Sequence, residues 1–320
     1  MSGAAVVVLG SLHLDVMVWA PALPRLGETM AGRAAALRPG GKGGNQAVEA
    51  ARHGAATAMI GAVGDDDFGR PLLANLRAHG VDVDHVAVHP GGTSGMSVAI
   101  TEAAGDYAAV IVSGVNLGLG PAAVAAARDR IAGARWLLLQ NEVPDAANLA
   151  AATLARRAGC QVILNAAPAR AAPPGLLEAV DILVVNALEA EALCGVAVPD
   201  AAAAGAAAAA LCARVPCAIV TAGGDGLAVA TAAGWRARLA AHDVTLVSTH
   251  GAGDCFVGAL AARLAAGGSL DAALRYANAA AALLVATPPE ARGDLGPAAV
   301  ERLLARAGPA IVSDPGASAS

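Results

Sequence analysis

The stretch Trp136-Leu137-Leu138-Leu139-Gln140, followed by an Ala-rich helical pattern over Asp145–Ala158 and then Gln161-Val162-Ile163-Leu164-Asn165, reads as strand, helix, strand. A helix between two short apolar runs is the crossover of a parallel pair. The same alternation extends outward in both directions. Residues 6–10, 58–63, 182–186 and 218–221 read as further strands. Residues 45–53, 69–79, 121–131, 189–194, 201–214, 253–266 and 270–285 read as helices. The pattern predicts an α/β architecture with a mainly parallel sheet and helices on both faces. Two regions break the rhythm: 13–20 with 29–37, and 93–101 with 107–112, alternate in period two without an intervening helix. They read as antiparallel hairpins outside the main sheet. One domain over residues 1–310 is expected, with a small β lid contributed by about 12–38 and 92–113. Residues 311–320, rich in Ser, Ala and Gly, are expected to form a flexible tail.

The chain has 320 residues, 56% hydrophobic and 15% charged, with a formal net charge of -5. This is the composition of a folded domain with a mildly acidic surface. There is no Lys/Arg run and there are few aromatic residues, so neither nucleic acid nor an anionic membrane is an expected partner. Much of the apolar fraction is Ala, and no stretch is apolar enough for a bilayer span. The start of the chain lacks a basic region before its apolar run, so a cytoplasmic location is expected. Five Cys, without a CxxC pair, indicate neither a disulfide framework nor a zinc site. Of the 21 basic residues 20 are Arg, and the single lysine is Lys42. That bias marks Lys42 as a position where a compact ammonium is needed and a planar guanidinium does not serve.

Ligands of open parallel sheets bind beyond the carboxyl ends of the strands. Polar residues recur there: Ser11 and Asp15, Gln140-Asn141-Glu142, Asn165, Asn186 with Glu189, and Thr221-Ala222-Gly223-Gly224. Singly, each also serves as a helix cap or turn residue. The sharpest local signal is Thr249-His250-Gly251-Ala252-Gly253-Asp254 at the head of an apolar helix. Glycines and a helix start make an anion cradle, and Asp254 in its first turn suits deprotonation of a hydroxyl that attacks a bound phosphate. A capping Asp after a Gly turn is the structural alternative. A second loop, Gly40-Gly41-Lys42-Gly43-Gly44-Asn45-Gln46, leads into the next helix, with Lys42 and Asn45 as donors to a polar ligand. It is not a Walker A loop, and no GxGxxG follows the first strand, so a nicotinamide dehydrogenase lacks its fingerprint. Asn186 and Glu189 are spaced either to reach Mg²⁺ through its waters or to close a capping box. Cys255, beside Asp254, reads as an apolar filler.

Taken together, these residues resemble the PfkB family of carbohydrate kinases, and within it the ribokinase branch. The two glycine-rich loops are similar to its two signatures, and Gly10-Ser11, Gly27-Glu28-Thr29, Gly64-Asp65-Asp66 and Leu164 to Arg170 fall in the family's order. The resemblance implies a three-layer α/β/α ribokinase-like fold with a small β-sheet lid. It also implies transfer of the γ-phosphoryl of ATP to a hydroxyl of a pentose. Asp254 would be the general base, and the Gly251, Ala252, Gly253 and Asp254 amides the anion hole. His13, Asp15, Gly41, Lys42, Asn45 and Glu142 match substrate positions. Asn186, Thr221, Gly223, Gly226 and Asn278 match nucleotide positions, and Asn186 with Glu189 would hold Mg²⁺ through water. A homodimer through the lid is implied as well. The chain departs from the pattern at His13, where an Asn is usual, and at Ala187, which replaces a Glu. Ser248 stands in place of an Asp, and Thr287-Pro288-Pro289-Glu290 does not match a cation site. Activation by a monovalent cation is therefore expected to be weak or absent. The alternatives are a family kinase for a nucleoside, hexose or keto-deoxy sugar, or a non-catalytic sugar- or nucleotide-binding protein.

Overall fold

The computed structural model describes residues 4–102, 107–306 and 311–313. Seven strands form the parallel part of a ten-stranded sheet: β1 (Val6–Leu9), β4 (Thr57–Gly64), β5 (Asp82–His89), β8 (Trp136–Gln140), β9 (Gln161–Asn165), β10 (Ile182–Asn186) and β11 (Cys217–Thr221). Three antiparallel strands extend it past β11: β12 (Leu227–Thr231), β13 (Arg236–Leu239) and β14 (Ile311–Ser313). The order is β14-β13-β12-β11-β10-β9-β8-β1-β4-β5.

Alternate residues of each central strand feed opposite cores. Val6, Val8, Leu138, Ile163 and Ile219 face one core, with α1 (Lys42–Arg52), α2 (Gly69–Ala78), α8 (Ala252–Ala265), α9 (Leu270–Ala286) and α10 (Pro297–Ala305) over it. Val7, Leu9, Leu137, Leu164 and Val220 face the other. That core is covered by α3 (Pro121–Ala126), α4 (Arg128–Ala132), α5 (Asp145–Ala158), α6 (Ala187–Cys194) and α7 (Ala201–Leu211). Burial on both faces explains why these strands read as unbroken apolar runs rather than alternating ones.

A separate four-stranded sheet contains β2 (His13–Trp19), β3 (Ala34–Gly40), β6 (Gly95–Thr101) and β7 (Tyr107–Val112), in the order β3-β2-β6-β7. The two hairpins expected from sequence are both present. They are joined by parallel pairing of β2 with β6, from His13↔Gly95 to Trp19↔Thr101. Strand β3 starts five residues and ends three residues later than its period-two pattern indicated, with Pro39 on a sheet edge where a missing N–H does no harm.

Several boundaries differ from expectation. Helix α1 begins at Lys42, not Asn45, so the second glycine loop is largely the first turn of a helix. Gly41 turns into it with φ 82°, and a Cβ there would meet His13 N at 2.7 Å. A Cβ on Gly43 would lie 2.6 Å from Gly10 C and Ser11 N, so these glycines let the helix start press on the loop after β1. The single helix expected over 121–131 is broken at Ala127, whose N–H is shared between Ala123 O and Val124 O. Strands β5, β12 and β13 and helix α10 were not expected; β12 and β13 are short, and β5 carries polar residues that mask its period. Residues 311–313, read as the start of a loose tail, pair with β13, while the remainder of that stretch, 314–320, lies outside the described residues.

Helices α1 and α8 approach closely because Gly258 lacks a side chain. A Cβ there would sit 2.6 Å from Glu49 Cβ, 2.8 Å from Ala50 N and 2.9 Å from Gln46 O. Gly258→Ala is expected to destabilise the protein by about 1–3 kcal/mol through overpacking. Denaturant unfolding checks this, and an unchanged midpoint would contradict the close-packing account.

Candidate active site

Strands β1, β8, β9, β10 and β11 end on one edge of the sheet, and the first turns of α1 and α8 meet above that edge. Asp254, in the first turn of α8, is buried. Its two carboxylate oxygens have separate donors from α1: Asn45 Nδ2 donates to Oδ2 (2.9 Å) and Gln46 Nε2 to Oδ1 (3.0 Å). The Gln46 amide is itself held from behind. Its Nε2 also reaches Asn165 Oδ1 (3.0 Å), and its Oε1 accepts from Gln140 Nε2 (2.8 Å). Asn165 Nδ2 in turn donates to Val184 O (3.2 Å), and Asn148 Nδ2 to Gln140 O (2.8 Å). The strand-end amides, each of them a plain turn residue on its own, thus form one buried network whose output is the orientation of the Asp254 carboxylate.

Burial pushes the Asp254 carboxyl above its ordinary pKa. The positive charge of Lys42 opposes this most, followed by the hydrogen bonds from Asn45 and Gln46. Glu189 is likewise raised by burial and lowered by Lys42, so the single lysine of the chain acts on both carboxylates. Lys42 opens α1, and its backbone N–H donates to Glu142 Oε2 (2.9 Å), which also accepts from Ser11 Oγ. His13 Nδ1 stands 3.8 Å from the same oxygen, while the buried His13 Nε2 has no hydrogen-bond partner among the described residues. Asp15 accepts from Ser97 Oγ within the small sheet and lies 3.9 Å from His250 Nε2 on the loop before α8. His13, Asp15, Gly41, Lys42, Asn45, Glu142 and Asp254 therefore converge where the small sheet faces the main one.

The loop before α8 turns at Gly251, with φ 83°, and the helix leaves the N–H groups of Gly253 and Asp254 without intrahelical acceptors. The Ala252 N–H is engaged differently from expectation: it donates to Thr249 O (3.1 Å), closing the turn. Beside this turn lies a cleft of about 630 Å³. Thr221, Gly223, Gly226, Gly253 and Asn278 all line it. Gly226 has φ 90°, and a Cβ there would meet Leu239 O at 2.0 Å. Asn278 Nδ2 donates to Ala240 O (2.9 Å), tying α9 to the end of β13. Asn186 is not part of that lining, but it pairs with Thr221 across β10 and β11 at the rim. Asn186 and Glu189 close a reciprocal capping box at the head of α6: Glu189 N donates to Asn186 Oδ1 and Asn186 N to Glu189 Oε2, both at 2.9 Å.

Behind Asp254, Glu49, His53 and Cys255 are buried together. Arg52 pairs with Glu49, and His53 Nδ1 shares a hydrogen with Tyr276 Oη (2.9 Å). Burial raises the Cys255 thiol well above its ordinary pKa and lowers His53 to about 4, so Cys255 is an inert packing thiol, as its sequence context indicated. Sequence reasoning assigned no role to Gln46, whose orienting position is visible only once α1 and β8 are packed. Nor did it find the apolar cleft walls Val244, Leu246, Phe256 and Val285. The loop around residues 240–247 carries no periodicity and no motif, whereas Phe256 and Val285 read simply as helix interior.

The pfkB family carbohydrate kinase pattern matches residues 4–291. Mouse ribokinase is 37% identical over 287 residues, covering 88% of this chain and 89% of the mouse protein. Ribokinase of Haemophilus influenzae is 34% identical over 279 residues, covering 87% of this chain and 91% of the relative. The solved structure of Arabidopsis thaliana ribokinase complexed with ribose and ATP superposes with a TM-score of 0.85 at 29% identity, covering 94% of this chain and 99% of that one. A match over nearly the whole chain, joined to an acid held at a helix start beside a glycine-lined cleft, means that the chain belongs to the pfkB family of carbohydrate kinases.

Proposed function

We propose that this enzyme transfers the γ-phosphoryl group of ATP to a hydroxyl of ribose or a closely related pentose, with Asp254 as general base. The observation that carries this reading is the Asp254 carboxylate, each oxygen held by one amide donor from α1. An oxygen that accepts one such bond keeps a lone pair for a substrate O–H. The relatives named ribokinase, and the neighbour bound to ribose and ATP, favour a pentose.

In this mechanism Asp254 takes the proton of the sugar hydroxyl, the freed oxygen attacks the γ-phosphorus, and ADP leaves. The Gly253 and Asp254 N–H groups, at the positive end of α8, stabilise charge on the transferring group. Asp15, Gly41, Lys42, Asn45, Glu142 and His13 bind and orient the sugar. The cleft at Thr221, Gly223, Gly226 and Asn278 takes the nucleotide, with Phe256 and Val285 offering apolar walls to the base. Asn186 and Glu189 offer an amide oxygen and a buried carboxylate at its rim, a donor set that suits Mg²⁺ held through water; the ion would supply charge neutralisation at the phosphates. The small sheet acts as a lid whose closure excludes water. Exposed Leu37, Val110, Ile111 and Val112 on that lid favour pairing of two copies through it. A cytoplasmic location follows from the use of ATP; among the described residues no helix is long and apolar enough to cross a membrane.

Three outcomes check this reading. ATP turnover with Mg²⁺ across ribose, other pentoses, fructose, keto-deoxy sugars and nucleosides should be highest on a pentose. Asp254→Asn should lose about 10²–10⁴-fold in kcat while sugar affinity stays within a few-fold. Near-normal turnover in that variant excludes Asp254 as the base, and turnover confined to another panel member moves the substrate within the family. The second check is the pH profile. Protonated Asp254 cannot accept a proton, so kcat/KM should fall with decreasing pH through a midpoint above the ordinary carboxylate value, because burial raises it. Gln46→Met removes a donor to the charged form and should move that midpoint up; a downward shift or none would contradict the orienting role. Third, size-exclusion chromatography at micromolar concentration should give a dimer that Ile111→Glu dissociates, and a monomeric parent protein would rule out pairing through the lid.

A further inference from the structure

The loop over residues 247–251 has no regular structure, yet it positions the turn at Gly251 and the N–H groups that follow. One end is fixed simply: Val247 N and Ser248 N both donate to Val285 O, at 2.8 and 3.1 Å. Within the loop His250 N donates to Ser248 Oγ (3.3 Å) and Ala252 N to Thr249 O (3.1 Å), and one side chain from outside it gathers the carbonyls. Arg292 Nη1 donates to His250 O (3.0 Å), Nη2 to Ser248 O (3.3 Å) and Nε to Thr287 O (3.1 Å). Three carbonyl oxygens, two from the loop before α8 and one from the end of α9, thus converge on a single guanidinium.

A group of converging carbonyls carries summed negative partial charge and needs a cation or several donors to hold it together. An alkali cation is one solution to that arrangement. A guanidinium is another, since its planar fork supplies several N–H groups and a permanent charge at once. We infer that Arg292 is a tethered cation that orders the anion-binding turn at Gly251 to Asp254, making phosphoryl transfer by this enzyme independent of monovalent cations. Arg292 is a positioning residue in this scheme, since it acts through the Ser248 and His250 carbonyls and is not part of the cleft lining. The inference rests on the kinase reading above for its activity readout, and has a second readout that does not.

The test compares the parent protein with Arg292→Ala and Arg292→Lys. In the parent, exchanging tetramethylammonium for K⁺ at constant ionic strength should change kcat by less than about twofold, since the cation position is already filled. Arg292→Ala should lose about 10- to 100-fold in kcat through misplacement of the turn. Added guanidinium at about 50 mM, far below denaturing concentrations, should recover at least several-fold of that loss, and tetramethylammonium should not. Arg292→Lys should fall between parent and Ala variant. Hydrogen exchange at the amides of residues 249–254 is the second readout: insensitive to K⁺ in the parent, faster in Arg292→Ala, and slowed again by guanidinium. Strong K⁺ activation of the parent, an Ala variant as active as the parent, or a loss that guanidinium leaves unchanged in both readouts would each overturn the inference. A parent protein without sugar-dependent turnover would instead count against the kinase reading, and the exchange measurements would then decide the role of Arg292 alone.

Discussion

The structure depends on how closely α1 and α8 approach each other. Both helices start at the carboxyl edge of the sheet, and Gly258 on one faces the Gln46 to Ala50 backbone of the other without an intervening side chain. That spacing brings Asn45 and Gln46 within hydrogen-bond reach of Asp254, a residue more than two hundred positions away in sequence. Gly43 applies the same device one layer lower, seating the start of α1 on the loop after β1. Two helix starts thus hold the Asp254 carboxylate and the N–H groups at the head of α8 in fixed relation, as the proposed base and anion cradle require.

A buried carboxylate is unfavourable unless it is hydrogen-bonded or paired. Here the donors are neutral amides, with one lysine as the nearby positive charge. Amides orient a carboxylate without removing its basicity, whereas a direct ion pair would hold the proton affinity low. The balance suits the proton transfer proposed for Asp254. The network behind Gln46 extends this logic. Gln140, Asn165 and Asn148 pass the constraint from strand ends and α5 to a single oxygen of Asp254. Glu49, Arg52, His53 and Tyr276 form a second, largely buried polar cluster further along the same side of α1, so the α8-facing side of the helix is held at both its start and its end.

Much of this was legible in the sequence for identifiable reasons. The central strands β8, β9 and β10 were readable because their apolar runs are bounded by polar ends and flanked by helices with clear periodicity. Asp254 and Lys42 stood out because glycines surround them and, for Lys42, because every other basic residue is Arg. Strands β12, β13 and β14, at one end of the sheet, were hidden because runs of three to five residues without helices alternating between them carry too little pattern to identify a strand. The start of α1 was misplaced because four glycines read as a loop until the strand they press against is in place. Gln46 and Arg292 were missed for a deeper reason. Their roles are made entirely by partners distant in sequence, Asp254 and Asn165 for one, Ser248 and His250 for the other, and no local spacing encodes such a meeting.

The small sheet meets this fixed frame from the other side. His13 and Asp15 on β2 approach Glu142 and His250 respectively, so the small sheet and the α8 loop come together beside the start of α1. The most direct test of the central claim is a crystal structure with a pentose and a non-hydrolysable ATP analogue. The account predicts a sugar hydroxyl within hydrogen-bond distance of Asp254, in line with the terminal phosphate at the Gly251 to Asp254 turn and the base in the cleft beside Asn278. A sugar bound with every hydroxyl beyond reach of Asp254, or a nucleotide outside that cleft, would contradict it.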